Sequence, residues 1–105
     1  MALDLSQKQL PWTDNAAIGT TLLAITPPDG AYKLKIKPSV AAYLQVGTGS
    51  DGDAVTSGKV YPLAANAEHI VSLAAGDSLQ RPQPTVLVAA QSGTGTVYIL
   101  AEGAE

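Results

Sequence analysis

The sequence predicts an all-β chain: a single β-sandwich or jelly roll of about eight short antiparallel strands behind an extended N-terminal arm. Three observations lead there. Apolar runs between residues 18 and 101 are short, and Gly, Pro, Asn and Asp cut them at intervals of about 8–12 residues. Where the pattern is cleanest it has period two, with Tyr32, Leu34 and Ile36 alternating with Lys33, Lys35 and Lys37. No window of about 11 residues carries a convincing helical period.

Residues 1–17 read as the arm and 18–105 as the sandwich domain. Leu3, Leu5, Leu10 and Trp12 are scattered among Asp4, Ser6, Gln7, Lys8 and Gln9, and Pro11 blocks a continuous helix. Four large apolar residues are more than a free tail normally exposes. The segment is therefore either a strand edging the sheet or an arm that docks on a neighbouring subunit.

The first strand runs from Ile18 to Ile25 and ends at Thr26-Pro27-Pro28-Asp29-Gly30, a strong turn signal. Ala31 to Lys37 follows, with the alternation above, and Pro38-Ser39 breaks it. Val40 to Val46 places Val40, Ala42, Leu44 and Val46 opposite Ala41, Tyr43 and Gln45. A glycine-rich loop opens at Gly47 and continues to Gly58. Lys59 to Ala64 contains Pro62 and so suits an edge strand. Glu68 to Leu73 precedes a turn at Ala74-Ala75-Gly76-Asp77, a short strand at Ser78 to Gln80 and an extended connector at Arg81-Pro82-Gln83-Pro84. Thr85 to Gln91 and Gly95 to Ala101 read as a hairpin joined through Ser92-Gly93-Thr94.

That last pair is apolar on both sides. Val86, Val88 and Ala90 oppose Leu87 and Ala89, and Val97, Ile99 and Ala101 oppose Tyr98 and Leu100. A self-sufficient antiparallel sheet needs one oily face and one wet face. The expectation is a building block packed against copies of itself or against a larger surface; the alternative is that the arm covers the second face.

Composition sets bounds on function. At 105 residues the chain is one domain. Hydrophobic residues make up 46% and aromatics 5%, with no Phe, so Ala, Val, Ile and Leu must build the core. The absence of Cys removes disulfides, thiol catalysis, zinc–thiolate sites and iron–sulfur clusters. Oligomerisation is then the common stabiliser left to a small core, apart from a metal. A net charge of −3 argues against nucleic-acid binding. The start of the chain lacks the basic and apolar regions of a secretion signal, and no run approaches the roughly 18 apolar residues of a membrane span.

Nothing in the sequence assembles a catalytic, cofactor or metal site. His69, the single histidine, has no nucleophile or orienting group in a motif around it; the ordinary reading is a sheet or interface histidine, whose titration at a subunit contact would modulate assembly. Asp51-Gly52-Asp53 is a fragment of a calcium loop without the remaining ligands. Gly47-x-Gly49 and Gly93-x-Gly95 lack the Gly-Lys-Ser/Thr ending of a phosphate loop. The stripe of Lys33, Lys35 and Lys37 is either a solvated face or the docking site for an acidic partner surface that relieves their mutual repulsion. Tyr32, Tyr43, Tyr61 and Trp12 could line a sugar platform, but Tyr32 and Tyr43 are expected to fill the sandwich or its rims, which leaves Tyr61 with Asn66 and Glu68 nearby in sequence as the candidate.

Three segments carry a family likeness: Val60-Tyr61-Pro62-Leu63-Ala64, Leu73-Ala74-Ala75-Gly76-Asp77-Ser78 and Ser92-Gly93-Thr94-Gly95-Thr96-Val97-Tyr98-Ile99. Over about residues 40–101 the chain resembles the small β-sandwich virion proteins of tailed bacteriophages, the capsid decoration (cement) proteins and related head or tail accessory modules. The resemblance implies a non-enzymatic protein without cofactors, made in the host cytoplasm and bound to the outer surface of the capsid. It also implies a homo-oligomer, often a trimer, contacting the major capsid protein or another virion protein. Leu3, Leu5, Leu10 and Trp12 of the arm and the stripe of Lys33, Lys35 and Lys37 are the candidate partner-binding residues. The competing expectation is a carbohydrate- or receptor-binding module of a phage fibre or tail.

Overall fold

A computed structural model of the chain describes residues 2–28, 30–45, 49–72 and 85–103. Among these residues there are nine strands and no helix: β1 (Leu3–Asp4), β2 (Trp12–Ile18), β3 (Leu23–Thr26), β4 (Ala31–Pro38), β5 (Ala42–Gln45), β6 (Val60–Leu63), β7 (His69–Ser72), β8 (Val86–Ala90) and β9 (Gly95–Gly103). They form two facing sheets, one of five strands in the order β1-β3-β8-β5-β6 and one of four in the order β2-β9-β4-β7. Every pairing is antiparallel except the short parallel contact of β1 with β3. The all-β sandwich class read from the alternation and turn spacing is the observed one.

The core lies between the sheets. Leu23 and Ile25 of β3, Val86, Val88 and Ala90 of β8, Ala42 of β5 and Leu63 of β6 face Ile18 of β2, Leu34 and Ile36 of β4 and Val97, Ile99 and Ala101 of β9. These are the aliphatic residues that a chain without Phe has available. Each fully buried Leu, Ile or Val side chain contributes about 1.5–3 kcal/mol of transfer free energy.

Almost every connection changes sheet; only β5 and β6 are consecutive strands of one sheet. This overturns the predicted hairpin. β8 pairs with β3 and β5, whereas β9 pairs with β2 and β4, so residues 91–94 carry the chain across the sandwich. The crossing is pinned at both ends. Ala90 N–H donates to the Gly19 carbonyl at 2.7 Å and Gln91 N–H to the Ala41 carbonyl at 2.9 Å. Thr96 N–H donates to Ser39 Oγ at 2.9 Å while Ser39 N–H returns to the Thr96 carbonyl at 2.8 Å. A Ser-Gly-Thr link serves a hairpin or a crossing equally well, and the partners that decide between them are distant in sequence.

Two further expectations are corrected. The strand drawn from Ile18 to Ile25 is broken: β2 ends at Ile18 and β3 starts at Leu23, because Gly19–Leu22 passes from one sheet to the other. In β4 a bulge between Ala31 and Lys33 adds one residue, so Ala31 joins Leu34 and Ile36 in the core and Tyr32 turns out to 43% exposure. The predicted turn at 74–77, the strand at 78–80 and the connector at 81–84 lie outside the described residues.

The 1–17 segment does not leave the domain. β1 edges the five-stranded sheet and β2, aligned with β9 from Trp12↔Ala101 to Ile18↔Gly95, edges the other. Of the two readings of this segment, the strand at the sheet edge describes it.

Candidate functional site

The expected apolar second face exists, and the chain covers it itself. In the five-stranded sheet, β8 is buried on both sides. Its Leu87 and Ala89 point away from the sandwich core and join Leu22, Ala24 and half-buried Val55 in a second small cluster. The register sets Ala24, Leu87 and Gln45 side by side across β3, β8 and β5. Over this row lies the glycine-rich segment running from Gly49 to Gly58.

The strap is fastened by its polar residues. Leu22 N–H donates to the Asp53 carbonyl and Gly52 N–H to the Leu22 carbonyl, both at 2.8 Å, and Thr21 bridges to Ala54. Asp51 Oδ1 accepts the Ala24 N–H at 3.0 Å, and Asp53 Oδ2 accepts the Ser50 N–H at 3.0 Å. Gln45, buried at 4% exposure, is paired reciprocally: its Oε1 accepts from Thr56 N–H at 2.8 Å and its Nε2 donates to Thr56 Oγ1 at 3.4 Å. Without such partners a buried amide costs about 1–3 kcal/mol. The Asp51-Gly52-Asp53 fragment thus spends its carboxylates on backbone amides. Among the described residues no group of three or more acidic or histidine side chains is placed to hold a metal ion.

The predicted partner residues divide. Leu5 is 1% exposed and sits in the core, its N–H donating to the Thr26 carbonyl at 2.9 Å. Leu10 packs against that core and closes over Gly103, where an added Cβ would come to 3.0 Å of its Cδ1. Trp12 is half-buried, its indole N–H donating to Asp14 Oδ2 at 3.3 Å and Lys8 Nζ lying 4.8 Å from the ring centroid. Leu3 stands at an opening. With Ala2, Ala16, Ala17 and Leu23 it lines an apolar slot of about 220 Å³, where the free-edge strands β1 and β2 diverge at one side of the sandwich.

Lys33, Lys35 and Lys37 lie together on the outer face of the four-stranded sheet, as their alternation requires. Their repulsion is partly relieved within the chain. Glu102 of β9 pairs with Lys35 at 3.4 Å and Lys33 at 4.0 Å. Exposed pairs of this kind are worth about 0–1 kcal/mol. Lys37 has no ion pair among the described residues. Beside it, the row Asn15–Tyr98–Lys37 and the row Thr13–Leu100–Lys35–Ile70 cross the face. A shallow groove of about 410 Å³ follows these rows. Tyr98, 50% exposed, stands at its centre.

The suggested trio of Tyr61, Asn66 and Glu68 is not assembled on one surface. Tyr61 is on edge strand β6 of the five-stranded sheet, whereas Glu68 lines the groove of the other sheet. Sequence reading missed Tyr98 as Glu68's companion, because their proximity depends on β9 and β7 flanking β4. His69 faces inward beside Ile36 in the register β4–β7, and its Nε2 is buried without a hydrogen-bond partner among the described residues. No helix of the described residues is long and apolar enough to cross a membrane.

Neither a scan against protein-family models, nor a search of curated proteins, nor a search of solved structures returns a match to this chain.

Proposed function

We propose that this chain is a non-enzymatic structural protein of a virion, bound as an oligomer to the outer surface of the capsid, and that it is held there through the open side of the sandwich between β1 and β2. The observation that carries this reading is the apolar slot lined by Ala2, Leu3, Ala16, Ala17 and Leu23. A slot walled mainly by alanine and leucine offers water few hydrogen bonds and accommodates an aliphatic group of a partner. The resemblance of residues 40–101 to small β-sandwich virion proteins of tailed phages, the decoration proteins and the head or tail accessory modules, supports the virion part of this reading. Attachment would then rest on modest apolar contacts repeated at symmetric sites, where multivalency makes the sum far tighter than any one contact.

The strap weakens one earlier argument for assembly, since the apolar side of β8 is already covered. It leaves the slot as one place where apolar surface still opens outward, apart from the exposed Tyr61 and Ile70. The test uses particles banded on a density gradient from a culture producing the chain. The protein is expected to sediment with the shell in a fixed ratio. Leu3→Ser, at the half-buried residue that lines the slot from β1, should leave the protein folded, as checked by its amide spectrum, and lower its retention on particles by at least about tenfold, the equivalent of roughly 1.4 kcal/mol. A chain that stays at the top of the gradient with free proteins contradicts the virion assignment. Undiminished retention of the folded Leu3→Ser protein contradicts the slot.

A further inference from the structure

The geometry points to a second site, independent of the slot: we propose that the groove on the outer face of the four-stranded sheet binds a neutral pyranose sugar, with the Tyr98 ring as its platform. The strands fix the arrangement. Tyr98 on β9 is aligned directly with Asn15 on β2 and Lys37 on β4, and Thr13 lies one row along with Leu100. Glu68, which precedes β7, lines the same groove. A half-exposed aromatic ring is thereby surrounded by an amide, a hydroxyl, an ammonium and a carboxylate.

The state of those groups matters. The side chains of Thr13, Asn15, Lys37, Glu68 and Tyr98 make no hydrogen bond or ion pair among the described residues. Their polar atoms are therefore available to a ligand without first breaking a contact. By contrast Lys35 is engaged by Glu102, and Asp14, whose carboxylate lies on the inward side of β2, accepts from Trp12 Nε1 and Asn15 N–H.

The mixture of signs selects the ligand class. An anion would meet Glu68; a cation would meet Lys35 and Lys37. A hydroxyl both donates and accepts, so a ring of hydroxyls satisfies ammonium, amide and carboxylate groups together. The apolar C–H face of a pyranose matches the body of an exposed tyrosine, which offers one apolar surface and one polar tip. The volume of about 410 Å³ falls within the roughly 300–1,000 Å³ of small-ligand sites. Being open, the groove would hold one or two sugar units weakly, in the range of about 1 mM, and rely on repeated copies for avidity.

The test is a titration of the isotope-labelled full chain, followed by amide shifts, with methyl glucoside, methyl galactoside and N-acetylglucosamine as neutral probes and glucuronate and glucosamine as charged ones. Saturable shifts are expected at Thr13, Asn15, Lys37, Glu68 and Tyr98 with at least one neutral sugar, and weaker ones with both charged sugars. Tyr98→Ala should reduce affinity by at least tenfold, and Asn15→Ala by severalfold, with the rest of the spectrum unchanged. The proposal is overturned if no probe shifts these amides, if a charged sugar binds more tightly than every neutral one, or if Tyr98→Ala leaves the shifts intact. Each of these outcomes is read on the isolated chain and is separate from the particle experiment.

Discussion

Gly49 shows how narrowly the strap is seated. A Cβ placed there would lie 2.7 Å from Gln45 Nε2, 2.9 Å from Leu87 Cδ1 and 3.2 Å from Leu22 Cδ1, at a backbone φ of +155°. Gly49→Ala should therefore destabilise the fold by about 1–3 kcal/mol, the usual cost of forcing extra volume into packed surroundings, seen as a lower denaturant midpoint at unchanged slope. A midpoint equal to that of the parent protein would mean that the strap does not press on Leu22 and Leu87. Gly49 read as a loop glycine in the sequence, and its neighbours were invisible there. The tight contact comes from β3 and β8, far away in the chain. Asp51 was similarly ambiguous. In the sequence it read as part of a solvated glycine-rich loop with a fragment of a calcium pattern, whereas its carboxylate accepts the Ala24 N–H of β3.

At the level of elements, the alternating lysines of β4 disclosed one wet face correctly, and Pro62 correctly marked β6 as an edge. The two-sided apolarity of β8 also signalled burial on both faces, which is what the sheet shows. What covered the second face was misjudged, because a covering loop of Gly, Ser, Asp and Thr has no apolar signature of its own; it binds through backbone amides and a few carboxylates. The pairing of β8 and β9 was misread for a related reason: strand partners are chosen by long-range register, and a three-residue link does not reveal it. The N-terminal segment gives a direct test of element membership. Leu5 lies in the core and anchors the turn after β1, so Leu5→Ala should cost about 2–4 kcal/mol. An arm that docks elsewhere would show almost no change in the stability of the isolated chain.

For the whole molecule, the edges and faces are managed separately. β1 is two residues long, β7 is four, and β6 contains a proline, which are common ways of discouraging edge pairing. β2, the long edge, carries Asp14 on its inward side, held by Trp12 and the Asn15 amide. One outer face is closed by the strap. The other is a mixed polar face with a groove. Among the described residues, the slot beside β1 and β2 and the groove around Tyr98 are places open to meet something else. Composition alone suggested that a chain this poor in aromatics needed neighbours for stability; the strap supplies part of that cover internally.

The strap closure is tested most directly by amide hydrogen exchange on dilute protein, with attention to Leu22, Ala24, Gly52 and Thr56. Each of these N–H groups is bonded across the strap, to Asp53, Asp51, Leu22 and Gln45 respectively. Slow exchange at all four, unchanged as the concentration is lowered, is the expected result. Rapid exchange at these positions, or protection that builds up only at high concentration, would show that the apolar side of β8 is covered by another copy and not by the chain's own loop.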